Sequence, residues 1–234
     1  MERGEREARV AEIAALDQPV RRDLYALLVA RDGWVGREDA ADAVGVPRSV
    51  AAFHLDKLAE AGLVEVRFER PPGRGGPGAG RPAKKYRRAD REVSVSLPDR
   101  RYDLAGALLA DAAADAAASG RSVEAALRDA ARDAGRQMGE AVRGEAGGAR
   151  SAVAARRAAV RALERLGYEP RERGRDIVLA NCPFHALAER HRSLVCGMNL
   201  DFVGGIAEGL GAEERLAPRL EPEPGSCCVR LRAR

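Results

Sequence analysis

Val20, Leu24, Leu27 and Leu28 fall on one face of a helix. Asp17 is its candidate cap, Pro19 sits in its first turn and Gly33 closes it. Residues 5–16 precede it as helix-forming sequence. Ala40, Ala41 and Val44 then mark a short helix, and Val50, Leu55 and Leu58 a second one across the turn Gly45–Val46–Pro47. Gly62 stands where a terminal glycine ends that second helix. The period then changes to two. Leu63–Glu69, Lys84–Arg88 and the series Val93, Val95, Leu97 alternate as strands do. The tract 71–82, PPGRGGPGAGRP, cannot be regular structure, so the first two strands read as a hairpin with a long tip.

Residues 100–143 return to a helical pattern with alanine as its main apolar residue. Leu104, Leu108 and Leu109 mark one helix, and Val123, Leu127, Ala131 and Met138 another, broken at Ser119–Gly120. A third, Ser151–Leu166, ends at Gly167. Two strands follow around the turn Arg173–Gly174–Arg175, then helices over PFHALAERH and LVCGMNLDFVGGIAEGLG, then strands over ERLAPRLE and CCVRLRA. The pattern predicts a mostly helical α+β chain: a winged helix over 1–95, a helical dimerisation segment over 96–150, and a small α+β domain over 151–234.

Composition sharpens this. Of 234 residues, 45% are hydrophobic, but 46 are alanine, which leaves enough large apolar residues for two modest cores rather than one large enzyme core. No apolar run is long enough to span a membrane, and the first ten residues carry no secretory signal, so a cytoplasmic protein is expected. The net charge of +4 says little, but its distribution says more. Between Arg67 and Arg91 nine basic residues face only Glu69 and Asp90, a local footprint for phosphate contact.

Helix, tight turn, helix, strand and basic hairpin in this order predict a winged helix-turn-helix on double-stranded DNA. The apolar positions of the second helix leave Arg48, Ser49, Phe53 and Lys57 facing outward. Arg48 can pair with guanine, Ser49 with a base or phosphate, and Phe53 with a thymine methyl. His54 is expected to pack or to bond a phosphate. Arg81, Lys84, Lys85 and Arg87 would contact the backbone from the wing. The segment VPRSVAAFHLDKLAEAGLVEV, followed by GRPAKKYRR, resembles winged-helix bacterial transcription regulators of the arsenic-repressor superfamily over roughly residues 15–95. That resemblance implies a recognition helix near 48–60 and a wing built on Gly80, Arg81, Pro82 and Tyr86. Reading a palindromic operator would require a homodimer.

All four cysteines lie in the last quarter of the chain: Cys182, Cys196, Cys227 and Cys228. In a reducing compartment such segregation suggests a metal or redox site rather than disulfides. Cys227 and Cys228 fall in an expected strand, where neighbouring side chains point to opposite faces, so one of them is expected at the site. His185, one helical turn from Cys182, is the candidate fourth ligand. The motifs NCPFH, LVCGMN and CCV resemble the C-terminal domain of regulators related to the repressor of iron–sulfur cluster assembly genes, over about 160–231. That resemblance implies an iron–sulfur cluster on Cys182, Cys196 and Cys227 or Cys228. His185 and the double cysteine depart from the pattern and leave zinc as the alternative, structural in that case; a third reading has no metal and a small ligand. No GxSxG, Walker loop, GxGxxG after a strand or HExxH is present, so no catalytic role is expected.

Overall fold

The computed structural model describes residues 3–70, 82–145 and 151–234. The chain forms two compact units, Arg3–Val95 and Ser96–Arg234.

The first unit runs α1 (Arg3–Ala14), α2 (Pro19–Ala30), β1 (Val35–Gly36), α3 (Arg37–Val44), α4 (Arg48–Glu60), β2 (Val64–Glu69) and β3 (Ala83–Arg88). Gln18, not Asp17, caps α2: its side-chain oxygen accepts from the Arg21 N–H at 2.9 Å, with Pro19 in the first turn. The α3–α4 turn depends on Gly45, whose φ of +73° ends α3 in a left-handed conformation. Ala40, Ala41 and Ala51 are buried where α3 and α4 pack together, and their small size permits the close approach. The sheet is antiparallel in the order β1-β3-β2. Val64, Val66 and Tyr86 alternate onto its inner face, against Leu24, Leu28, Leu55 and Leu58. Two-residue β1 is too short to leave a periodic signal. The expected strand at Val93–Leu97 does not form; Val93 instead packs into this core from an irregular segment.

The second unit runs α5 (Tyr102–Ser119), α6 (Val123–Glu145), α7 (Ala152–Arg165), β4 (Pro170–Arg173), β5 (Asp176–Leu179), α8 (His185–Arg190), α9 (Arg192–Gly209), β6 (Leu216–Leu220) and β7 (Val229–Ala233). Its antiparallel sheet has the order β4-β5-β7-β6. One core contains Leu108, Leu127 and Val142 together with Leu163, Phe202, Ile206 and Leu231. Residues 96–145 therefore share a core with 151–234, and the expected division near 150 is not a division between cores. Leu108 and Leu127, expected to face a second subunit, are 4% and 1% exposed within their own unit.

Glycines bring α6 and α9 together. A Cβ on Gly205 would land on the Arg132 carbonyl oxygen, and one on Gly135 would land on that of Phe202. Gly139 and Gly209 make equivalent backbone approaches. The missing side chains let two helical backbones touch, and this contact holds the Cys196-bearing helix α9 in place.

Candidate functional site

The recognition helix α4 begins at Arg48 behind Pro47, which provides no side-chain cap. Its first N–H groups and the positive end of its dipole are thus available to an anion. Arg48 and Ser49 are exposed, and Arg48 makes only a loose pair with Glu38 at 3.7 Å. Phe53 is 58% exposed, with the Lys57 ammonium 5.9 Å from its ring centroid. Lys57 also pairs with Glu60 at 2.6 Å. These four residues lie where the sequence puts them. His54 does not face outward with them. It is half-buried with Nδ1 enclosed, and burial, aided by the Arg21 charge, lowers its pKa and favours the neutral form. It is a packing residue beside α2.

The wing strands are tied to α4 by a polar cluster that sequence patterning missed. Asp56 accepts from Tyr86 Oη at 2.6 Å, Lys84 Nζ at 2.9 Å and Arg37 Nη2 at 2.8 Å, while Arg37 Nε donates to Tyr86 Oη at 2.8 Å. Burial pushes the Asp56 carboxyl up, but the Tyr86 and Lys84 hydrogen bonds and the Arg37 charge outweigh it and hold it below its usual value. Tyr86 is fully buried; burial and its bond to Asp56 push its hydroxyl up to about 12. Lys84, expected as a free phosphate contact, is committed to Asp56. The cause is register: Lys84 and Tyr86 point to the same inner face as Val66. Lys85 and Arg87 alternate to the other face. There Arg87 pairs with Glu65 at 2.7 Å and, with Arg67, covers the ring of Trp34 at 4.8 and 4.6 Å. Lys85 lies 3.8 Å from Asp39. A cavity of about 620 Å³ opens between the starts of α3 and α4 and the wing strands, lined by Arg37, Arg48, Lys84 and Lys85 among others. Arg81 lies outside the described residues.

In the second unit the sheet register assembles the cysteines. β5 and β7 pair Val178 with Arg230, and Cys182 and Cys227 both lie just past the paired ends of these two strands. The Cys227 N–H donates to Leu179 O at 2.8 Å, and the Cys228 carbonyl accepts from Glu221 N at 2.7 Å. Cys182 follows β5, Cys196 lies on α9, and Cys227 and Cys228 precede β7. Strand alternation therefore does not separate the last two, contrary to the sequence expectation. The thiols of Cys182 and Cys227, and those of Cys196 and Cys228, lie near enough to shift each other's ionisation through hydrogen bonding. All four are free thiols.

The hydrogen bond with Cys227 pulls the Cys182 thiol down to about 7, against burial and with help from the Phe184 N–H and the Arg100 charge. Cys227 moves up because of that bond and its burial. Burial, with Cys228 adding to it, pushes Cys196 up to about 12. Asn199 Nδ2 donates to Cys227 Sγ at 3.2 Å, and Tyr168 Oη donates to Asn199 Oδ1. A signal for Asn199 was present in the sequence: a lone amide inside the apolar run GMNLDF, three residues after Cys196.

His185 does not join the thiols. It is exposed on α8, 3.4 Å from Glu189. Among the described residues no group of three His, Cys, Asp or Glu stands close enough to hold a single metal ion. The thiols form two pairs rather than one tetrahedron.

Residues 16–67 match the family model of a helix-turn-helix domain. The match spans α2 through β2 and includes the whole of α3 and α4. The chain thus carries a helix-turn-helix domain, a unit that binds DNA. Comparison with the curated proteins and with the solved structures finds no match. No helix among the described residues is long and apolar enough to cross a membrane.

Proposed function

We propose that the protein is a sequence-specific transcriptional regulator, most simply a repressor, that binds double-stranded DNA as a homodimer and whose DNA affinity is set by an iron–sulfur cluster on Cys182, Cys196, Cys227 and Cys228. The convergence of every cysteine in the chain, from three separate segments, into one set of free thiols that shift each other's ionisation supports this reading. An all-sulfur donor set suits soft metals and iron–sulfur clusters. A mononuclear zinc site, with Zn–S of about 2.3 Å, would need its sulfurs grouped more closely. When bound, a cluster supplies a group that responds to oxidants and to iron supply. The protein's own part is to enclose it: Phe184 and Val195 are buried beside the ligands, and Asn199 donates to the Cys227 sulfur. At the other end Arg48 and Ser49 read bases from the start of α4, Phe53 lies against the groove, and Lys57 and the wing position the backbone.

The first test is a visible spectrum with iron, sulfide and zinc analysis of anaerobically purified protein. A broad band with stoichiometric iron and sulfide is expected; a colourless protein with one zinc, or with no metal, overturns the cluster. The second is binding of Arg48→Ala to a duplex selected by the wild type from a random library and to unselected DNA. A loss of about 1–3 kcal/mol confined to the selected duplex is expected. An equal loss on both would remove Arg48 from base reading. Sedimentation of the full chain, with a dimer expected, checks the assembly.

A further inference from the structure

Three polar residues of the described chain are buried: Asp99, Asn181 and Asn199. Asn199 bonds Cys227. The other two meet each other. Asn181 Nδ2 donates to Asp99 O at 2.9 Å and to Gly167 O at 2.5 Å, while its Oδ1 accepts from Arg100 Nη1 at 2.6 Å. Arg100 Nη1 also reaches the Cys182 carbonyl at 3.3 Å. The Arg101 N–H donates to Pro183 O at 3.1 Å, and the Ala186 N–H to Tyr102 Oη at 3.4 Å. The segment 99–102 is thus stitched, residue by residue, to the loop 181–186 that carries Cys182. Six positions earlier, Val93 is packed in the winged-helix core. The chain leaving the DNA-binding unit is fastened to the Cys182 loop as soon as it enters the second unit.

Resting on the function proposed above, we propose that Arg100 and Asn181 are positioning residues that pass the state of the Cys182 loop to the chain leaving the winged helix. A group bound to Cys182 fixes the loop and so keeps Asn181 within reach of Asp99 O and Arg100. Release of that group frees the loop. Asp99 O and Gly167 O then lose the Asn181 amide, and Arg100 loses Asn181 Oδ1 and the Cys182 carbonyl while keeping Asp99 O at 3.1 Å, a loss that buried polar groups do not absorb locally. Segment 99–102 loosens with the loop, and the constraint on the exit of the DNA-binding unit is lifted. Arg100 touches no sulfur; it acts through Asn181 and the Cys182 backbone.

The experiment is hydrogen–deuterium exchange on full-length, iron-loaded protein, before and after iron is removed with a chelator. Removal should raise exchange of the 99–102 amides about tenfold or more, as local opening does. Arg100→Ala, compared with wild type at matched iron and sulfide content, should show raised exchange at 99–102 in both states and bring the loaded-to-stripped ratio of affinity for the selected duplex to about one. Arg100→Lys should keep part of the ratio. Unchanged exchange at 99–102 on stripping, or a wild-type ratio in Arg100→Ala, overturns the proposal. Complete loss of iron from Arg100→Ala also overturns it, because Arg100 would then be needed to hold the cofactor itself. A wild type that carries no iron and sulfide, with or without zinc, fails earlier and takes the cluster reading with it. A loaded wild type with any of the preceding results leaves that reading intact.

Discussion

Asp56 shows how a single residue decides which basic side chains remain for DNA. Tyr86, Lys84 and Arg37 all converge on its two oxygens, so a carboxylate on the recognition helix fixes the wing strand and the start of α3 at once. Asp56→Asn keeps the shape and removes the charge. The side chain is about a third exposed, so solvent screens part of the loss. The expected cost is about 1–2 kcal/mol, or roughly 4–16 °C in the midpoint of a unit this size. The pH dependence has a definite sign. The folded carboxyl lies below its ordinary value of 3.8, so its stabilisation is complete above that value and fades as the pH falls through the lower folded one. The gap between wild type and Asp56→Asn should be widest near neutrality and close on acidification below about pH 4; thermal melts across that range check it, and a gap that persists unchanged in acid refutes the charge assignment. Sequence patterning named Lys84, Lys85 and Arg87 correctly as wing residues and misjudged their freedom. Alternation along β3 decides which basic residue faces α4, and the partner that captures Lys84 stands 28 positions away. For His54 the structure takes the packing side of the expectation, because its helix face is shared with α2.

The elements were largely legible where large apolar residues carry the period, as in α2, α4 and α9. They were misread where small residues do the packing. In the α6–α9 pair the contact is made by Gly135 and Gly139 against Gly205 and Gly209, each pair four residues apart. Counting large apolar positions leaves α6 looking too polar for a core of its own, which is why residues 100–143 suggested a subunit interface. Backbone contact supplies the missing packing. Gly205→Ala places a methyl on the Arg132 carbonyl, and neither backbone can yield as a side-chain tip can. The helices must separate, at a cost of about 3 kcal/mol or more. Gly106→Ala on α5 meets nothing within 4 Å and should gain about 0.5–1 kcal/mol from helix propensity. Denaturant melts of the two variants read the contrast, and a neutral Gly205→Ala would mean that α6 and α9 are not in backbone contact. The grouping of the four cysteines was legible, but their pairing was not, and His185, expected among them, lies outside. That CC begins a strand was visible; that both residues stop short of it follows only from the β6–β7 register, which starts at Val229.

Across the whole molecule, the two units have separate cores. Leu55, Leu58 and Tyr86 belong to one core, and Leu163, Phe202 and Ile206 to the other. Domains with their own cores unfold as separate cooperative units, so two thermal transitions are expected. A group that binds only the folded second unit stabilises that unit by mass action and leaves the first one largely as it was. The chain provides a clean reporter: Trp34 is its one tryptophan, and it lies in the first unit between Arg67 and Arg87. Tryptophan fluorescence therefore follows the winged helix alone, while calorimetry sees both units. Removing the proposed cluster should lower one calorimetric transition by more than about 5 °C and move the Trp34 midpoint by less than about 2 °C. Arg48→Ala and Asp56→Asn bear on the winged helix and should leave the metal-sensitive transition in place. A single transition, or a Trp34 midpoint that falls in step with metal loss, would show that the two cores unfold as one and that the cysteine site governs the stability of the DNA-binding unit directly.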